Sequence, residues 1–185
     1  MNASMIRPIL ITLLLSTPLI LAGCLMSEED EYNVKLNPDG KSGSITVIKY
    51  NVQSDQTEKA KQKDDFDELV KDWKSDSYLL DKTKEGVYVK NRELWTKNGK
   101  LIWKEVSIFS DFSRLFRNEL VNDTLRLTFE KEQTIVATNG VVERTADKTT
   151  VTWPPKTTEY KLRIRQNNFA AKTDFATEFR KLFKK

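Results

Sequence analysis

The chain has 185 residues, with 31 lysines and arginines against 27 aspartates and glutamates, no histidine and one cysteine. A formal charge of +4, mixed along the chain, is too weak to argue for a nucleic-acid surface. The lack of histidine removes the commonest general base and the commonest metal ligand, and the six glycines form neither a phosphate loop nor a dinucleotide fingerprint. No serine stands in Ser-x-x-Lys spacing, the arrangement of penicillin-recognising enzymes. Asp64, Asp65, Asp67 and Glu68 cluster, but charges grouped on a helix read as a solvated face rather than an acid–base pair. The expectation is a protein that is not an enzyme and carries no cofactor and no metal.

In chain order, Arg7 precedes an apolar run from Pro8 to Ile20 that ends in small residues, the layout of a secretory signal peptide. The run is too short to span a bilayer comfortably, and Pro18 interrupts it. Leu21-Ala22-Gly23-Cys24 resembles the bacterial lipobox. That resemblance implies a diacylglycerol on the Cys24 sulfur, cleavage before it, and a membrane anchor as partner. Cys24 is the only thiol, so once lipidated it leaves no disulfide and stability must come from the core. Residues 1–23 are then a removed signal and 24–31 an acidic tether. The run Ser27-Glu28-Glu29-Asp30-Glu31 reads as a solvated linker. It also resembles the acidic signal that sends some bacterial lipoproteins to the cell surface. Leu25 is not the aspartate that retains many lipoproteins in the inner membrane, so the resemblance favours the outer membrane.

Residues 32–185 read as one domain. Tyr32 to Leu36 and Ser44 to Tyr50 alternate apolar and polar around Pro38-Asp39-Gly40-Lys41-Ser42-Gly43, which predicts a hairpin. Ser54 to Lys63 is polar and reads as loop or frayed helix. Phe66, Leu69, Val70 and Trp73 share one helical face. A second hairpin centres on Asn98-Gly99, a two-residue turn that pairs Arg92 with Glu105, Glu93 with Lys104, Leu94 with Trp103, Trp95 with Ile102, Val89 with Ile108 and Tyr88 with Phe109. Trp95 and Trp103 thereby fall on opposite faces.

Phe112, Leu115, Phe116 and Leu120 predict another helix, and Leu125 to Phe129 a strand. Thr134 to Val142 reads as a hairpin turning at Asn139-Gly140. Thr150 to Trp153 is a strand stopped by Pro154-Pro155, and Tyr160, Leu162 and Ile164 alternate with bases. Thr173 could cap a helix in which Phe175, Phe179, Leu182 and Phe183 share a face. The segments beginning Asp65-Phe66, Asp111-Phe112 and Asp174-Phe175 echo one another, either as a repeated unit or as ordinary capped helices. The order of elements predicts α+β: an antiparallel sheet built from hairpins with about three amphipathic helices packed on it.

The stretch Asn33 to Ser44, together with Asn139-Gly140 and Thr150-Val151-Thr152-Trp153, resembles the LppM-type envelope lipoprotein domain. The resemblance implies an anchored α+β domain associated with envelope lipids. Two functions follow: a binding module for a lipid-like ligand or envelope partner, or a surface lipoprotein that contacts glycans or host molecules. Trp95, Trp103 and Trp153 are the candidate ligand surface, because aromatic faces suit acyl chains and sugars alike.

Overall fold

The structure is a computed structural model that describes residues 25–116, 119–170 and 172–183. The lipobox, Cys24 included, lies outside the described residues. In chain order the elements are β1 Leu25–Met26, β2 Glu29–Leu36, β3 Gly43–Tyr50, β4 Gln53–Ser54, α1 Lys59–Lys74, α2 Asp76–Lys84, β5 Val87–Lys97, β6 Lys100–Phe109 and α3 Phe112–Leu115. They continue with β7 Leu120–Val121, β8 Thr124–Glu130, β9 Gln133–Thr138, β10 Val141–Arg144, β11 Lys148–Trp153, β12 Glu159–Gln166 and α4 Phe175–Lys181. The fold is α+β, with antiparallel pairing throughout.

Six strands form one sheet in the order β5-β6-β3-β2-β12-β9, and four form another in the order β10-β11-β8-β7. Strand alternation divides the larger sheet into an inner and an outer face. Inner residues Val34, Ile45, Val47, Phe109, Tyr160 and Leu162 share one buried cluster with Leu125, Leu127, Phe129, Val151 and Trp153 of the smaller sheet. Further along the same inner face, Leu94, Leu101 and Trp103 pack with Phe66 and Leu69 of α1 and Phe175 and Phe179 of α4. One sheet face thus carries two cores, one closed by strands and the other by helices. Between them runs a buried polar row. Glu105, 2% exposed, accepts from Tyr78 Oη at 2.5 Å and Ser107 Oγ at 2.9 Å. Asp30 accepts from Ser27 Oγ at 2.5 Å and pairs with Lys49 at 3.4 Å.

Several expectations are corrected. Residues 24–31 are not a tether from Leu25 onward: β1 pairs with β4, and Glu29 to Glu31 open β2. Each of the four acids has a partner from elsewhere in the chain. Glu28 meets Lys100 and Asn51, Glu29 meets Arg163 and Arg165, Asp30 meets Lys49, and Glu31 accepts from Tyr50 Oη. A run of acids looks the same in sequence whether it is solvated or paired. The hairpin register holds from Lys97–Lys100 back to Asn91–Val106 and then shifts at Lys90, so Val89 pairs with Ser107 and Tyr88 with Ile108. This bulge puts two residues opposite one and exchanges the faces beyond it.

The described residues form four helices rather than about three. α1 begins at Lys59, so the second half of the stretch read as loop or frayed helix is helical, and α2 was not anticipated. Ser75 caps α2 by accepting from Ser77 N. α3 is a single turn, because the backbone leaves the helix at Phe116 (φ −132°, ψ 46°) and Leu120 enters β7. Asp174, not Thr173, caps α4, accepting from Thr177 N at 2.9 Å. α1 and α4 pack together whereas α3 closes the other cluster, so the three echoing segments do not occupy equivalent places. Asn139-Gly140 does not turn a hairpin: β9 pairs with β12 in the larger sheet, while β10 pairs with β11 in the smaller.

Candidate functional site

The three candidate tryptophans separate. Trp103 is fully buried and Trp153 is 1% exposed, so neither belongs to a ligand surface. Trp103 sits in the helix-covered core, with the Tyr78 ring edge-on at 6.3 Å. Trp153 sits between the sheets, where its Nε1 donates to Asn139 Oδ1 at 2.8 Å. Both were candidates because an aromatic ring on an alternating strand is equally suited to core or ligand. Trp95 is different. It lies on the outer face of β5 and is only half-buried.

The register lays out that outer face in rows. The row nearest the Asn98-Gly99 turn runs Trp95, Ile102, Tyr50, Glu29, Arg165 across five strands. With strands ~4.8 Å apart, it is ~19 Å long. The next row runs Glu93, Lys104, Ile48, Glu31, Arg163, and the row at the far end holds Tyr88, Ile108, Ser44, Lys35 and Glu159. The β5–β6–β3 half is therefore mainly apolar and aromatic, and the β2–β12 half is charged. Tyr88 and Ile108 are 46% and 37% exposed. The two buried clusters formed by the four-stranded sheet and by α1 with α4 lie on the inner face; on the outer face Tyr88, Ile108 and Arg165 are exposed and Trp95 and Tyr50 half-buried, whereas Ile102 is 4% exposed.

The charged half is tightly organised. Glu29, whose side chain is only 8% exposed, accepts from Arg163 Nε on Oε2 and from Arg165 Nε on Oε1, each at 2.7 Å, with the Nη2 groups 2.6 and 2.5 Å from the same two oxygens. One carboxylate thus takes a charge-assisted bond from a guanidinium on each of its oxygens. The Arg163 guanidinium also stacks on the Tyr50 ring at 4.6 Å, which joins the charged half to the aromatic half. Burial, followed by the hydrogen bond to Glu31, raises the Tyr50 hydroxyl above its ordinary pKa and keeps it a proton donor. These arginines were read from sequence only as the polar side of a strand.

The remaining polar groups hold no comparable open constellation. Burial pushes the Tyr78 and Tyr32 hydroxyls well above their ordinary range, with the Glu105 and Asp30 carboxylates adding to it, so both act as donors to those carboxylates rather than as bases. The acidic cluster on α1 is split: Asp65 is buried and accepts from Ser54 Oγ, while Asp67 pairs with Lys63 on the surface. Among the described residues there is no group of three or more potential metal ligands. No described helix is long and apolar enough to cross a membrane. A cavity of about 790 Å³ lies between α1 and α4. It is an open groove whose wall mixes Phe66, Phe175 and Leu182 with Lys59, Lys63, Asp67, Glu178 and Lys181, not a closed apolar chamber. No protein-family model, curated protein or solved structure matches the chain.

Proposed function

We propose that this chain is an envelope lipoprotein, held at a bacterial membrane by acyl chains on Cys24, whose domain binds a ligand with apolar character and catalyses no reaction. The observation that carries the binding reading is the open outer face. Trp95, Tyr88 and Ile108 lie there in or near solvent, although the fold has two cores in which to bury such groups. Exposed or half-buried apolar side chains at both ends of one sheet face, Trp95 at one and Tyr88 with Ile108 at the other, are the features of an interaction surface. The anchor rests on the lipobox resemblance, and the outer membrane, where the cell has one, on Leu25 following the cysteine. The LppM-type resemblance supports an association with envelope lipids. Each acyl methylene contributes about 0.8 kcal/mol to membrane binding, so several chains hold a protein firmly.

A glycan ligand is the second reading, and one observation favours it. The exposed rings lie on an open sheet rather than in an enclosed chamber, and flat aromatic surfaces suit sugar rings as well as acyl chains. Only one of the four tryptophans takes part, however, so there is no tryptophan row to define a sugar platform.

Native mass spectrometry of the full chain, purified gently from its own membrane, tests both parts. We expect a mature N-terminus at Cys24 with the mass of attached acyl chains, and a co-purifying ligand that Trp95→Ala removes without lowering the melting temperature. A free Cys24 thiol with the signal intact would sink the anchor. Turnover of an envelope substrate, abolished by changing one carboxylate or serine, would sink the non-catalytic reading.

A further inference from the structure

We propose that the row from Trp95 to Arg165, together with Arg163, is a site for the phosphate-bearing headgroup of a membrane lipid. The arginine pair takes the phosphate, and Trp95 and Tyr50, both half-buried on this face, take the adjoining glycerol and first acyl carbons. The inference rests on the outer face being the ligand surface and adds to it the class of ligand and the residues that select it.

Three observations support it. The first is stoichiometry. Two guanidinium groups share one carboxylate, Glu29, and both spend the same edge on it, Nε and Nη2. Their Nη1 groups make no hydrogen bond to a described residue, so donors in fixed planes remain beside the Glu29 and Glu31 carboxylates that balance the pair's charge. Guanidinium matches the geometry of phosphate oxygens better than ammonium does. Glu29 and the Tyr50 ring hold the pair in place before any ligand arrives, which lowers the ordering cost of binding.

The second is the partition of the row. Its apolar end and its cationic end meet at Tyr50, and such a row is amphipathic in the same sense as a phospholipid. Neither a free anion nor a purely apolar molecule would use both ends. The third is position. This row lies at the end of the sheet where the described chain enters. Glu28 N donates to Tyr50 O at 2.9 Å, Gln166 N donates to Glu28 O at 3.0 Å, and the Glu28 carboxylate meets Lys100. Glu28 is four residues from Cys24, so a lipid on that cysteine would bring this row, rather than the Tyr88 end, to the bilayer. Tryptophan beside cationic side chains is the composition favoured at a membrane–water interface.

The test is a lipid titration of the full chain in neutral-detergent micelles, read by native mass spectrometry. Phosphatidylglycerol should bind at least about tenfold more tightly than diacylglycerol. Replacing both arginines, R163K with R165K, keeps positive charge beside Glu29 but loses the planar guanidinium donors, and should erase most of that preference. Trp95→Ala should weaken both lipids alike. Because the double variant could lose stability, Glu29→Gln provides an independent arm. It removes the carboxylate charge that offsets the pair, while the amide oxygen still accepts from one arginine, and should tighten phosphatidylglycerol binding, whereas arginines with a purely structural role would leave it unchanged. Inorganic phosphate at the lipid's concentration should not displace the lipid, and full displacement would overturn the headgroup assignment. Equal binding of diacylglycerol and phosphatidylglycerol, still lost in Trp95→Ala, would keep the outer face as a ligand surface and overturn this inference. Lipid binding unchanged by Trp95→Ala would overturn both.

Discussion

The chain writes Asn-Gly twice and uses it in two ways. Asn98-Gly99 has φ of 51° and 73°, the left-handed pair that a two-residue hairpin needs, and a Cβ on Gly99 would meet nothing within 4 Å. Asn139-Gly140 has no positive φ. There the glycine is required by crowding: a Cβ would lie 2.6 Å from Val151 Cγ1 and 2.8 Å from Trp153 Cε2. Its asparagine is occupied by long-range bonds. Oδ1 accepts from Trp153 Nε1 and Lys161 N, and Nδ2 donates to Glu159 O. The first dipeptide turns the chain by its own conformational preference. The second passes it from one sheet to the other and is held there by residues it meets only after folding. The same two letters are thus a local instruction in one place and a tertiary contact in the other.

The sharpest way to break this contrast is substitution at the two glycines. Gly140→Val should cost roughly 3 kcal/mol, because it forces methyl groups into the packed space beside Trp153 and Val151. Asn139→Ala comes next, at roughly 1–3 kcal/mol, because it leaves the buried Trp153 Nε1 unpaired. Gly99→Val should cost about 1–2 kcal/mol from φ > 0 alone, and Gly99→Asn only a few tenths, since asparagine tolerates that region. Urea denaturation of the four variants orders them. Equal losses for Gly99→Val and Gly140→Val, or a tolerated Gly140→Val, would erase the distinction.

Two smaller effects sharpen it on the local side. Asp174→Ala should cost about 1 kcal/mol through loss of the α4 cap. The Thr177 hydroxyl, then its N–H, hold the Asp174 carboxyl below its ordinary value of 3.8. Its folded pKa is depressed, so its contribution is complete above about pH 4 and disappears as the pH falls through the lowered folded value. The stability difference between wild type and Asp174→Ala should therefore shrink between about pH 4 and pH 2, and a difference constant across that range would contradict the cap. Glu93→Ala is the smallest. The Glu93–Lys104 pair spans 3.2 Å with both side chains partly exposed, and such pairs contribute ~0–1 kcal/mol.

What could be read from the residues alone follows the same division. The first hairpin, the Asn98-Gly99 register as far as Asn91, and the opposite facing of Trp95 and Trp103 all depend on neighbours in sequence. The reading failed where a distant partner decides. The bulge at Lys90 exchanges faces without a local signal. α2 shows little helical stripe beyond Tyr78, whose partner Glu105 lies on β6. Arg92 matches Glu105 in register, yet its side chain donates to Asp72 O and Ser75 O at the end of α1 and stacks on Tyr78 at 5.3 Å. Of the candidate ligand surface, Trp95 was legible. The Arg163–Arg165 pair was not, because its carboxylate is 134 and 136 residues away in the chain.

The building of residues 25–31 into the sheets has a mechanical consequence. Leu25 pairs with Ser54 and packs against the helix-covered core, and Ser27, Glu29 and Asp30 are buried. With acyl chains on Cys24, the hinge between lipid and domain would be a single peptide unit rather than a leash. The domain could tilt about that point but could not rise from the bilayer, and its standoff would be set by its own width. It would work as a fixed post at the membrane plane, reaching what diffuses along that plane and nothing a chain length above it. Inserting a flexible Gly-Ser segment between Cys24 and Leu25 would turn the post into a tethered float, with the fold and the anchor unchanged and only the reach altered.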